Sequence, residues 1–198
     1  MKRLPDAAGA ADPLAALRAA TASRHDTLDS GLAIGAPDAA LHDYAAHLAL
    51  LRAWLAPLQA WLAGFADAPG FDPQFDQAAR LALIDADLAE PGMAPARLAA
   101  PAAPAWPAAA SPAWRWGVLY VVEGSQLGGA VLYGRLHTRL APHPLRYFKG
   151  NEAGPGPRWR AFMLALRAHV QTDAEIADAC AGACAAFDAI LGLRDTGV

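Results

Sequence analysis

His25 is the residue in this chain whose surroundings best suit chemistry. On a helical wheel of about 100° per residue it falls about 20° from Leu14, and Leu17, Thr21 and Leu28 cluster within about 60° of that direction. This places its imidazole on the apolar face of the first helix. A neutral imidazole ligates transition metals. Arg18 lies about 40° from Leu14 and two turns before His25, where its cation could meet a carboxylate on the same ligand. The competing reading is a hydrogen-bonded core histidine, and one helix face does not decide between them.

A second group is defined by missing side chains. Gly117, Gly124, Gly128, Gly129 and Gly134 fall within one apolar helix, each costing up to about 1 kcal/mol relative to alanine. Gly117, Val121, Gly124, Gly128 and Leu132 follow three- and four-residue spacing and so share a face. Either a neighbouring backbone approaches closely there, or something flat and rigid lies against bare backbone. The Gly128-Gly129 pair also offers a place to bend. The remaining histidines read as structural or solvent-facing. His42 and His47 are five apart on different faces, His143 lies between prolines, and His137 and His169 sit near helix ends. Cys180 and Cys184, four apart, read as two small residues on one helix, since two thiols alone make a poor metal site.

Six helical segments by period would position these residues. They run from about Pro13 to Ser30, from near Pro37 through a leucine seam to Leu62, and from Phe75 to Ala89. The others run from Pro112 to Leu140, Arg158 to Val170 and Asp173 to Leu193. Pro57 should kink or divide the second. The stretch from Glu90 to Pro112 is rich in proline and alanine and reads as an irregular connection, with Trp106 pinning it to the body. Pro142 to Pro157 reads as turns. Strand signals are almost absent, so the expected fold is an all-α, single-domain helical bundle over residues 13–198, preceded by a mobile arm at 1–12.

With 198 residues, 55% of them hydrophobic and 18% charged, the chain can bury one sizeable core. Its formal charge of −3 and scattered arginines give no grip for nucleic acid or an anionic membrane. The start lacks the apolar core of a secretory signal, and the cytoplasm is the expected location. Trp116 to Gly134 is nearly long enough to span a bilayer. Glu123 near its middle would be costly there, on the order of 3 kcal/mol, so it reads as a buried core helix.

Three segments are similar to one family. LRAATASRHDTLDSG resembles the proximal-helix segment of haem oxygenases, VLYVVEGSQLGGAVL their distal-helix segment, and YFKGNEAGPGPRWRAF the turn and following helix of the bacteriophytochrome-associated bacterial branch. The resemblance covers most of the chain in the right order. It implies an all-α fold holding haem between the first helix and the glycine-bearing one, with His25 as axial iron ligand. Gly124, Gly128 and Gly129 become the distal residues that leave room for haem and dioxygen, with Ser125 among them. Arg18 would pair with a haem propionate, and Lys149 and Arg158 would share that task. Haem is then both substrate and cofactor: O2 and electrons from an external reductant open the ring, yielding biliverdin, carbon monoxide and ferrous iron. The implied partners are a ferredoxin or flavoprotein reductase as electron donor, and a bacteriophytochrome as biliverdin acceptor.

Two positions depart from the family pattern. Ser125 stands where some members carry a water-ordering aspartate, and Ala130 where many carry a polar residue. Serine can hydrogen-bond water but carries no charge. A haem-binding or sensing protein that does not degrade haem, and a related helical scaffold without haem, are the alternatives to the enzyme.

Overall fold

A computed structural model describes residues 11–65, 78–93 and 106–196. Most of the N-terminal arm, Phe75 to Gln77 and the middle of the proline-rich connection lie outside the described residues. Among the described residues all regular structure is helical: α1 (Pro13–Ser30), α2 (Leu41–Leu62), α3 (Ala78–Leu88), α4 (Pro112–Leu136), α5 (Arg146–Lys149), α6 (Pro155–His169) and α7 (Asp173–Asp195).

Local chemistry sets the ends of these helices. Pro13 and Pro112 occupy first-turn positions, where the missing N–H costs no hydrogen bond. Ser111 caps α4 by accepting the Trp114 N–H at 3.0 Å. Thr172 and Glu175 form a reciprocal capping box at the start of α7. Three expected boundaries move. α2 begins at Leu41, because a 3-10 turn (Ala33–Gly35) precedes it and Asp43 accepts the Ala40 N–H at 2.8 Å. α4 ends at Leu136, with turns to Pro142. The stretch read as turns contains the single helical turn α5, and α6 starts at Pro155. Pro57 does not divide α2.

The core lies between α4 and α7, with α1 and α2 also packed on α7. The α2 seam is buried as its spacing predicts, at Tyr44, Leu48, Leu51, Leu55 and Leu58, each large apolar side chain contributing about 1.5–3 kcal/mol. Trp106 stacks on Trp61 at 5.5 Å, and Trp61 donates its indole N–H to the Pro107 carbonyl, so the connection is pinned as expected. α7, rather than α4, has the length and composition to cross a membrane. Here α7 is a core helix, burying Ala179, Ala183, Ala186, Ile190 and Leu193.

Candidate functional site

α1 and α4 both pack against α7. On α1, Leu14, Leu17 and Thr21 are buried, and Thr21 turns its hydroxyl back to the Leu17 carbonyl at 2.8 Å. The apolar stripe then opens. His25 is 60% exposed rather than facing the core as the wheel implied. α7 covers it on one side only, through an edge contact with the Phe187 ring at 5.9 Å. A core histidine is therefore excluded. Its Nδ1 lies 3.3 Å from Asp29 Oδ2, one turn on. A carboxylate at Nδ1 favours the tautomer with the proton there and leaves the lone pair on Nε2. Among the described residues Nε2 has no polar partner. Asp29 was overlooked in the sequence, although its four-residue spacing from His25 was a usable signal.

Arg18 is exposed one turn before Thr21. Tyr120 of α4 lies near enough to Arg18 of α1 to feel its charge. Burial pushes the Tyr120 phenol up, against the pull of Arg18. Arg24 pairs with Asp188 of α7 at 2.7 and 3.1 Å, which fixes α1 next to His25.

The glycines of α4 divide into two groups. A Cβ on Gly117 would overlap the Ala179 carbonyl of α7, and one on Gly182 would overlap the Trp114 carbonyl of α4. Here the helices cross backbone to backbone, and close packing is the right reading. Further along, a Cβ on Gly124 would rest 3.7 Å from the Trp159 ring, and one on Gly129 would rest 3.5 Å from Phe148. A Cβ on Gly128 would have no neighbour within 4 Å. Bare backbone faces open space there.

Between the two groups sits Glu123, 2% exposed. Arg80 of α3 donates to it at 2.7 Å, and Arg158 of α6 grips both its oxygens at 2.7 and 2.9 Å. Burial raises the Glu123 carboxyl, but the two guanidiniums prevail and hold it below its ordinary value. Arg158 is one of the residues that the resemblance placed at a haem propionate. The guanidinium assigned to a ligand carboxylate is already bound to Glu123, where it fixes α6 to α4. Lys149 is exposed at the end of α5 and has no ion-pair partner among the described residues. Ser125 donates its hydroxyl to the Val122 carbonyl at 2.8 Å, one turn back on α4.

The other histidines have the structural or solvent-facing places expected of them. His137 and His169 bond carbonyls of their own helices, His143 accepts the Leu145 N–H, and His42 is exposed. His47 packs on Phe148, and burial lowers its pKa to about 4. Among the described residues no cluster of three metal-ligating side chains occurs. A cavity of about 520 Å³ lies elsewhere, lined in part by Glu90, Arg139 and His143. These groups are already bound to Arg146, the Pro37 carbonyl and the Leu145 N–H.

A family model described as heme oxygenase matches residues 12–192, which include both α1 with His25 and α4 with its glycines. The chain belongs to the haem oxygenase family. Its similarity to the heme oxygenase of Xanthomonas campestris pv. campestris is 47% identity over 83 residues. That match covers 41% of this chain and 50% of the relative, so it spans about half of that relative's length. The fold matches the NO- and CO-bound heme oxygenase from Neisseria meningitidis with a TM-score of 0.68 and 23% identity, covering 94% of this chain and 92% of that one. At that identity the likeness establishes the all-helical haem oxygenase fold.

Proposed function

We propose that this member of the haem oxygenase family cleaves haem to biliverdin, carbon monoxide and ferrous iron, using O2 and electrons from a ferredoxin-type or flavoprotein reductase. The observation that carries the reading is His25: an exposed imidazole, its Nδ1 at Asp29 and its Nε2 without a polar partner. A single neutral imidazole suits haem iron, and the open backbone at Gly128 suits a flat macrocycle, so the residues fit the group.

Bound haem supplies both the iron that activates dioxygen and the ring that is opened. The chain's own residues bind and orient it. His25 Nε2 holds the iron, and Asp29 keeps the proton on Nδ1 and fixes the plane of the imidazole. Arg18 holds a propionate, and Lys149 serves as a second cation at the haem edge. Gly124, Gly128 and Gly129 keep side chains out of the oxygen side. Ser125 holds water there through its hydroxyl oxygen. A bacteriophytochrome is the proposed acceptor of the product. The half-buried free thiols Cys180 and Cys184 suit the reducing cytoplasm.

The test is anaerobic haem reconstitution followed by air and a reductant. Decay of the Soret band with growth of biliverdin absorbance is the expected result. A Soret band that persists under these conditions would identify a non-degrading haem protein and overturn the proposal.

A further inference from the structure

α7 grips the turn of α1 that carries His25 through two contacts that run in opposite directions. Just before His25, Arg24 of α1 reaches across to Asp188 of α7. Just after it, Arg194 of α7 reaches back and donates an Nη1 hydrogen to the Thr27 carbonyl at 2.7 Å. Phe187, next to Asp188, makes the edge contact with the imidazole. Exposed pairs such as Arg24 and Asp188 add little to stability. Their consequence here is geometric.

The sequence makes room for Arg194. The last four carbonyls of a helix lack partners within it. The Gly31 N–H turns to the Leu28 carbonyl at 3.1 Å, and the Thr27 carbonyl is left with the Ser30 hydroxyl at 3.3 Å. The guanidinium supplies the stronger donor and sets a cation at the C-terminal end of α1, where the helix dipole favours it. Its Nε and Nη2 donate to Asp195 at 3.0 and 2.8 Å, which holds the fork in place. A Cβ on Gly31 would overlap this guanidinium and stand 3.3 Å from the Thr27 carbonyl oxygen. The φ of Gly31 is −98°, a value open to any residue. Glycine is therefore needed at 31 for space, and the occupant of that space is Arg194.

We infer that Arg194 is a positioning residue for the iron ligand: by closing the last turn of α1 onto α7, it sets the direction of His25 through Asp29. The inference rests on the haem-cleaving reading and deepens it. Asp29 lies two residues past Thr27 in that turn, with its carboxylate 3.3 Å from His25 Nδ1. The two side chains are 60% and 65% exposed, so their order comes from the backbone that carries them and not from the core. Arg194 lies beyond residues 12–192, the part of the chain matched to the family.

The test compares wild type, Arg194→Ala, Gly31→Ala and the double variant by two readouts. One is the Kd for haem, from absorption titration; the other is the iron–histidine stretching band of the ferrous haem complex, from resonance Raman. We expect each single variant to raise the Kd by about three- to tenfold, below the roughly 10–100-fold lost with a group bonded to the ligand itself. Each should also shift or broaden the band. The methyl at 31 acts by evicting the guanidinium, so Gly31→Ala should add nothing in the Arg194→Ala background. In the haem-free protein, Arg194→Ala should speed hydrogen exchange of the Gly31 amide. Leu58→Ala, a truncation of a buried residue in α2, should lower Tm and leave both Kd and band in place. An unmoved band and Kd in Arg194→Ala, additive changes in the double variant, or the same band shift in Leu58→Ala would overturn this inference alone. Failure of the wild type to take up haem would overturn the parent reading and this inference with it.

Discussion

The two halves of α4 use glycine for opposite ends. At Gly117 the missing side chain admits the backbone of α7, answered by Gly182 admitting the backbone of α4. At Gly128 nothing stands where a Cβ would be. One residue type at one helical spacing therefore serves packing in the first half and leaves a vacant surface in the second. Spacing shows that a face is bare. Only the partner shows whether the bareness is filled by protein or kept for a ligand.

The sharpest way to break this comparison is substitution at its packed end. Gly117→Val places atoms where the Ala179 carbonyl lies and should cost on the order of 3 kcal/mol or more, read as a collapse of Tm or loss of soluble protein. A variant as stable as wild type would refute the close crossing. Next is the joint between the halves. Glu123→Gln leaves Arg80 and Arg158 facing a neutral amide in a site where the carboxylate is 1% exposed. Breaking such a buried pair should cost about 3–5 kcal/mol, checked by urea denaturation.

A pH dependence follows under the second half, where His47 packs on Phe148 and Phe148 lies beside Gly129. The folded pKa of His47 is lowered from 6.5 to about 4 by burial. Between those values the unfolded chain binds the proton and the folded one does not. Stability should be full above about pH 6.5 and fall as pH drops towards 4. His47→Phe should flatten that slope, measured as Tm against pH. Glu123, with its folded pKa lowered, adds a loss of the same sign at still lower pH.

The smallest effect lies at the open end. Gly128→Ala should stabilise the haem-free protein by about 0.5–1 kcal/mol while weakening haem uptake. A methyl group tolerated on both counts would mean that the open surface is not the ligand's.

The all-helical bundle was legible because the α2 seam and the α4 and α7 periods are long and regular. His25 and the glycines stood out as candidates through their type and spacing, strengthened by the family segments. The exposure of His25 was not legible, because a wheel gives a direction around one helix and not the point where α7 stops covering it. The division between Gly117 and Gly128 was equally hidden, since it depends on Gly182 lying across the helix crossing. The bond from Arg158 to Glu123 was hidden because the two are 35 residues apart in the chain, and a guanidinium shows the need for an anion without naming which. Asp29 was within reach of sequence reasoning, one turn from His25.

The most direct test of the central claim is an absorption titration of haem into wild type and His25→Ala, with and without added imidazole. The account predicts a Soret band and ligand-sensitive visible bands in wild type, their loss or displacement in His25→Ala, and their return when imidazole is supplied. An unchanged spectrum in His25→Ala would place the iron on another residue and contradict the assignment.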